Sequence, residues 1–432
     1  MAGAAQKLTA LLSEVTSVAL PVRLRCWDGS ESGPAGAPVL VISQRKALRR
    51  LLWQPDELGF AQAYVAGELD IEGDMTTAIQ RFWTAVRELG LSTPEIGLRT
   101  RVRAAATLAR LGALGPKPTP PGEQARLKGL LHSKSRDQAA ISHHYDLSND
   151  FYHLLLDEHM AYSCGYFTRA PGSAGYTVHD AQTDKLDLVC RKLGLAPGQQ
   201  LLDVGCGWGS MILHAAEHYG VHATGVTISA EQRDFITQRI ADRGLQGKVT
   251  VRLQDYREVT YGGPGGGFDA ISTIEMGEHV GAKNYDVYTA TLFRLLKPQG
   301  RLLLQQMSRV GAPGGGAFIE SYIAPDMSMV PLGTTANNIE RAGFEIRDVH
   351  VMREHYVHTI RAWLDTFEAR FDEVVQLIGE AQSRVWRLYL VGSALAFEEN
   401  RMGVDQFLAV KPDVGGVSGI PRTRDEWSVG AR

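Results

Sequence analysis

The segment STIEMGEHVG, residues 272–281, carries Glu275, Glu278 and His279 directly after the apolar run FDAI. Two carboxylates and an imidazole at the end of a buried strand are groups that can accept or pass a proton. A second stretch, LLDVGCGWGS, sets Gly205, Gly207 and Gly209 between a predicted strand and a predicted helix, with Asp203 at the strand end. Glycines at such a junction let the backbone turn tightly and let a ligand approach closely. The spacing is GxGxG rather than the dinucleotide GxGxxG, and the next strand ends in VTIS without the acid that would hold an NAD ribose. Both features argue against NAD and for S-adenosylmethionine, which has no pyrophosphate to seat.

The elements that must position these residues follow from periodicity. From about Ala139 strands and helices alternate: QLLDV, MILHAAEHYG, VHATGVTIS, AEQRDFITQRIADRG, VTVRLQDY, FDAISTIEM, YDVYTATLFRLLKPQG and GRLLLQQMS. That order predicts an α/β fold with a doubly wound, Rossmann-like parallel sheet. GFEIRDVHVMREHY returns to the sheet, and the stretch from Trp363 to Glu399 reads as one or two amphipathic packing helices. Residues 1–115 read as a small α+β accessory domain, with strands at RLRCWDG and PVLVIS and a turn-rich acidic stretch at GELDIEGD. Residues 116–138 form a basic, proline-rich linker, and 139–432 form the catalytic domain with added lipid-binding helices.

Composition bounds the partners. The 432 residues are 44% hydrophobic and 22% charged, with a net charge of −3, as in an ordinary globular protein. Charge is uneven: residues 1–138 hold 18 Lys+Arg against 13 Asp+Glu. Between Leu98 and Arg136 nine basic residues meet one acid, Glu123. Arg99, Arg103 and Arg110, interleaved with Val102, Ala106 and Leu108, describe a basic amphipathic helix, which suits an anionic lipid surface or a solvated face. Nucleic acid is not expected, because no aromatics accompany the charges. Cys26, Cys164, Cys190 and Cys206 form no CxxC pair, so neither a zinc site nor a disulfide framework is indicated, and a reduced cytoplasmic setting fits. No signal peptide or spanning helix is read, so any contact with membrane is from its inner surface.

The motifs HHYDLSNDFYHLLLDEHMAYSCGYF, LLDVGCGWGS, GVTISAEQ, EMGEHVG and REHYVHTIRAW occur in one order, between about residues 140 and 408. In this the chain resembles the cyclopropane-fatty-acyl-phospholipid synthases, a group that includes mycolic acid cyclopropane synthases and related unsaturated-lipid methyltransferases. The resemblance implies methyl transfer from S-adenosylmethionine to a cis double bond in a phospholipid acyl chain. It implies that Tyr162, Ser163 and Gly205 line the cofactor site, with Thr227, Ile228 and Gln232 near the ribose and Tyr256 and Arg257 near the adenine. It also implies a bound bicarbonate held by Cys164, the backbone at Ile274, Glu278 and Tyr356, and acting as the base. Tyr145, Tyr162, Tyr166, Phe167 and Tyr356 could offer aromatic faces to a carbocation, each worth roughly 0.5–2 kcal/mol.

The chain departs from the family pattern twice. Gln305 stands where members carry a histidine ligand of bicarbonate, and it cannot titrate near neutral pH. Gly277 stands where they often have Phe, which would enlarge the pocket or remove an aromatic face. Both changes point to a methylene-branched product, for a separate reductase to convert, with cyclopropanation as the alternative. A small-molecule methyltransferase and a non-catalytic lipid-binding protein are the competing classes. A homo-oligomer is the expected assembly. Glu278 is expected to face the reacting centre, His279 to orient it or to begin a helix, and Glu275 has no assigned role.

Overall fold

The computed structural model describes residues 2–16, 20–88, 98–125, 136, 149–263, 265–311 and 314–427. The chain forms two compact units, Met1–Gln124 with Phe371–Leu395, and Ala125–Arg370 with Ala396–Arg432. The division falls at 124/125 rather than 115, and a C-terminal segment groups with the N-terminal residues. Arg384 gives the physical reason. Its guanidinium lies 4.1 Å from the Tyr64 ring centroid and donates to the carbonyls of Tyr64 and Leu69. Amphipathic periodicity shows that such a helix has a buried face but not what covers it.

The first unit holds a four-stranded sheet of β1 (Arg23–Cys26), β2 (Glu31–Ser32), β3 (Val39–Ile42) and β4 (Leu69–Glu72), in the order β2-β1-β3-β4. The turn-rich acidic stretch GELDIEGD contains the strand β4, Leu69–Glu72, flanked by turn and bend residues. Its Glu68 is buried and meets Arg50 through two hydrogen bonds, 2.9 and 3.0 Å. The expected basic helix spans Leu98–Arg110, with Val102 exposed. Among the described residues no helix is long and apolar enough to cross a membrane.

The second unit is built on β5 (Gln200–Val204), β6 (His222–Thr227), β7 (Val249–Leu253), β8 (Phe268–Ile274), β9 (Leu296–Ser308), β10 (Glu345–Val351) and β11 (Gly403–Val410). Their order is β10-β11-β9-β8-β5-β6-β7. Strands β5 to β9 pair in parallel, while β11 runs antiparallel between β9 and β10. The expected doubly wound α/β sheet is present, with this reversed strand added near one edge. Sequence order reverses between β5 and β8, which leaves a crevice at their C-terminal ends. The helix Val178–Leu193 covers one face of the sheet with Leu186, Val189, Cys190 and Leu193. Leu202, Val204, Ile271, Leu302 and Phe407 face a second core on the opposite side. The stretch after Trp363 is divided among three helices, Arg353–Ala369, Phe371–Ile378 and Glu380–Glu398.

Candidate active site

The crevice is a cavity at the ends of β5, β6 and β8. Val204 ends β5, and Gly205 turns the chain at φ 75°, a left-handed conformation that favours glycine. An ideal Cβ there would lie 3.1 Å from the Met276 side chain. Gly209, at φ 85°, precedes the helix Ser210–Tyr219 and does not itself line the cavity.

Ten of the eleven expected cofactor residues do line it: Tyr162, Ser163, Asp203, Gly205, Gly207, Thr227, Ile228, Gln232, Tyr256 and Arg257. Thr227 Oγ1 donates to Gln232 Oε1 at 2.7 Å, which ties the end of β6 to the first turn of the next helix. Asp203 accepts from Ser272 Oγ at 2.7 Å, and burial pushes its carboxyl up to about 6. Arg257 is already engaged by Asp255 through two hydrogen bonds, 2.6 and 2.8 Å. Tyr256 is buried against Tyr288, with ring centroids 5.3 Å apart.

Of the two carboxylates of the opening motif, Glu275, which had no assigned role, lines the cavity, and Glu278, which was expected to, does not. β8 ends at Ile274, and Glu275 follows at φ 53°, a left-handed conformation uncommon outside glycine. That turn puts Glu275, together with Ile274, in the cavity wall. Glu275 Oε1 accepts from the Cys164 N–H and from Gln305 Nε2, both at 2.9 Å, and its Oε2 accepts from the Tyr356 hydroxyl at 2.7 Å. A backbone N–H and an amide NH2 can only donate, so Oε1 serves as an acceptor in this cradle, and any proton on the carboxyl sits on Oε2, toward the Tyr356 hydroxyl. Burial raises the Glu275 carboxyl above its ordinary value, against these three donors and the charge of Lys185.

Glu278 does not face the cavity. The short turn Gly277–His279 carries it beneath the crevice, where it is fully buried and Oε1 accepts from the Met307 N–H. Its Oε2 has no hydrogen-bond partner in the structure. Burial, and next the charge of Glu275, push this carboxyl up to about 8. His279 lines the cavity, and its N–H bonds the Met276 carbonyl in the same short turn.

Cys164 takes part through its backbone. Its thiol is buried and held well above the ordinary range, so it is no nucleophile. Tyr166 and Phe167 pack on His355, with ring centroids 4.8 and 6.5 Å away, and line no part of the cavity. Tyr145 lies outside the described residues. Gly277 opens no space either: an ideal Cβ there would lie 2.1 Å from Gln306 Oε1 and 2.9 Å from the Tyr285 hydroxyl. The Gln306 amide already fills that volume.

Two groups, Lys185 in the wall and Trp363 packed behind it, had no sequence-based assignment. Lys185 is fully buried and donates to Ser163 Oγ at 3.0 Å, and burial lowers its ammonium. Its position midway between Ala181 and Val189 on an apolar helix stripe was a usable signal, because an unpaired lysine is seldom buried. Trp363 lies 5.4 Å from the Tyr162 ring, centroid to centroid, and 6.2 Å from Tyr356. Nothing in its spacing distinguishes it from a core residue.

The sequence model of the mycolic acid cyclopropane synthetase family matches residues 132–407. This chain belongs to that family. A Pseudomonas putida protein named "Probable fatty acid methyltransferase" is 34% identical over 97% of this chain and 99% of its own length. The cyclopropane-fatty-acyl-phospholipid synthase of Escherichia coli K12 is 38% identical over 62% of this chain and 66% of its own. The crystal structure of mycolic acid cyclopropane synthase CmaA1 complexed with SAH and CTAB superposes with a TM-score of 0.58 at 31% identity. That similarity covers 63% of this chain and 97% of CmaA1. The fold is accordingly that of the S-adenosylmethionine-dependent methyltransferases in this family.

Two outcomes follow for stability. Gly277→Ala should cost about 1–3 kcal/mol by overpacking against Gln306, and Gly277→Ala/Gln306→Ala should recover part of the loss. Thermal denaturation of both variants checks this; an unchanged melting temperature for Gly277→Ala would contradict the close approach. The raised Glu278 carboxyl gives a stability contribution that is complete below about pH 4.5 and is lost as pH rises through about 8. Wild type should therefore lose stability toward pH 8 more steeply than Glu278→Gln in urea titrations at several pH values. Parallel curves would refute it.

Proposed function

We propose that this protein transfers the methyl carbon of S-adenosylmethionine to the cis double bond of an oleoyl-type phospholipid acyl chain and leaves it as a methylene branch. The observation that carries this reading is Glu275, a half-buried carboxylate held by three donors in the wall of the glycine-turn cavity. S-adenosylmethionine, when bound, supplies an electrophilic sulfonium methyl. The residues that would hold it are Ser163, Asp203, Gly205, Gly207, Thr227, Ile228, Gln232 and Tyr256, and the bare backbone at Gly205 fits the close approach it needs. The named relatives support both the cofactor and a lipid substrate.

An isolated alkene is a poor nucleophile, so its π bond must be fixed in a near-attack geometry, an effect worth roughly 7–11 kcal/mol. Methylation leaves a carbocation on the acyl chain. Tyr162 lines the cavity and can present an electron-rich face to it, and Trp363 and Tyr356 pack behind that ring and help keep water away. A proton next to a carbocation is very acidic, and Glu275 stands ready as its acceptor. Direct loss of a proton from the new methyl, with ring closure, gives cyclopropane. A hydride shift from the methylated carbon to the cationic carbon, followed by loss of a methyl proton, gives the methylene branch. Both routes release one proton and need no oxidant. The relative aligned over nearly the whole chain is named for fatty acid methylation, whereas the cyclopropane synthase of Escherichia coli aligns over 62%. That contrast favours the methylene product.

The bicarbonate expected from the resemblance does not fit these residues. Three groups that would hold it, the Cys164 N–H, the Gln305 amide and the Tyr356 hydroxyl, are already donated to Glu275, and Glu278 accepts from Met307. We assign the proton acceptance to Glu275 instead, and no step runs through bicarbonate. The helix Leu98–Arg110, on which Arg103 and Arg110 are exposed, supports peripheral attachment to the anionic inner face of a membrane, and a methylene product calls for a downstream reductase.

Incubating the purified protein with S-adenosylmethionine and oleoyl phosphatidylglycerol vesicles should yield a methylene-branched chain, with the added carbon placed by mass spectrometry. A cyclopropane product would overturn the methylene assignment alone. Glu275→Gln should lower turnover by about 10²–10⁴-fold, the usual span for losing a general base, while cofactor affinity by calorimetry stays within about twofold. Full turnover in that variant would remove Glu275 from the chemistry.

A further inference from the structure

We propose that Lys192, Gln406 and Gln305 form a one-directional hydrogen-bond relay that keeps Glu275 ionised and aimed into the cavity. The inference rests on Glu275 being the base, and it concerns residues that touch neither cofactor nor substrate. It begins with sheet register. Ile274 pairs with Gln305 between β8 and β9, Gln305 with Gln406 between β9 and β11, and Gln406 with His350 between β11 and β10. Directly paired residues project from the same face of a sheet. Gln305, Gln406 and His350 therefore form a row across three strands, beneath the helix Val178–Leu193 that carries Lys192.

The row is bonded from end to end. Lys192 Nζ donates to Gln406 Oε1 at 3.0 Å, Gln406 Nε2 donates to Gln305 Oε1 at 2.9 Å, and Gln305 Nε2 donates to Glu275 Oε1 at 2.9 Å. Both glutamines are fully buried, and Lys192 is 7% exposed. A glutamine amide can turn over with no change of shape, so a lone Gln305 could present either its NH2 or its oxygen to Glu275. An ammonium has donors only. It fixes the oxygen of Gln406 toward itself, and that choice fixes Gln305 with its NH2 toward the carboxylate. Aligned amide dipoles with a cation at the far end stabilise the anion at the near end. Histidine at 305 would titrate in the working pH range, whereas the relay delivers a permanent donor.

The surrounding charges are few. Lys192 Nζ lies 3.3 Å from an Asp348 carboxylate oxygen and 3.3 Å from His350 Nδ1, and Arg424 pairs with the same Asp348 at 2.7 Å. Burial pushes His350 down to about 4, so it stays neutral near pH 7. Glu275 itself faces Lys185, Glu278, Cys164 and Tyr356. Without the relay, Lys185 would be its one remaining countercharge among these groups.

The test compares pH–rate profiles of the full-length protein, from about pH 5.5 to 9, with S-adenosylmethionine and oleoyl phosphatidylglycerol vesicles. Removing a stabilising cation raises the pKa of a carboxylate base, so the acid limb of Lys192→Met should move up by about one pH unit, and rates should converge with wild type at high pH. Lys192→Arg, which keeps a donor-only cation, should restore the wild-type limb. Gln406→Glu is isosteric and has two acceptor oxygens, so it turns Gln305 round and points an oxygen at Glu275. It should move the limb at least as far as Lys192→Met, with the melting temperature and cofactor affinity held, and it decides the matter if Lys192→Met fails to fold. Superimposable limbs for Gln406→Glu and wild type, alongside an inactive Glu275→Gln, would overturn the relay and leave Glu275 as the base. An active Glu275→Gln would instead overturn the reading on which the relay rests.

Discussion

A single half-buried carboxyl group, Glu275, organises the candidate active site. A carboxylate moved out of water costs several kcal/mol unless donors and countercharge replace its hydration. For Glu275 those replacements come from separate parts of the chain: the loop at Cys164, strand β9 through Gln305, and the helix Arg353–Ala369 through Tyr356. Lys185, buried on the helix Val178–Leu193, supplies the countercharge and also holds Ser163 in the cavity wall. The left-handed turn at Glu275 is the local cost of aiming the group back toward the crevice, of the order of 1–2 kcal/mol. Backbone strain of that kind persists where surrounding contacts over-determine it, and three converging hydrogen bonds do so here.

The parallel core of the sheet and the glycine turn were legible because they depend on local pattern. Buried parallel strands read as apolar runs, and a strand–glycine–helix junction has few alternatives. The choice between Glu275 and Glu278 was not legible. Extending the strand's two-residue period beyond Ile274 gives no reliable facing, because the chain leaves extended geometry at the very next residue. A non-glycine left-handed residue announces itself only in coordinates. Strand β11 was missed for a related reason. GVDQFLAV follows a long helical stretch, and its two central polar residues, Asp405 and Gln406, weaken the apolar signal of a buried strand. Those polar residues are present because the strand carries one of them into the network behind Glu275. The positions that obscure the secondary structure are the ones with a partner to meet.

The second departure from the family pattern, the glycine at 277, and the glutamine next to the first, Gln306, form one physical unit. Neighbouring residues on a strand point to opposite faces, so Gln305 and Gln306 cannot share a task. Gln305 joins the row beneath Glu275, while Gln306 turns to the other core, donates to Thr335 Oγ1 at 2.7 Å and meets the Tyr285 hydroxyl. Its amide occupies the volume that a side chain at 277 would need, so the glycine follows from the glutamine rather than from any demand for a wider pocket. A cavity that has not been widened gives the substrate no new freedom. On the proposed reading, what the glutamine at 305 alters is the nature and attachment of the base. An acceptor tethered to the backbone reaches only the protons that its short arm can approach, whereas a free oxyanion is placed by its ligands alone. On the proposed reading, the choice between ring closure and a branched chain depends on where the Glu275 carboxylate stands relative to the cation.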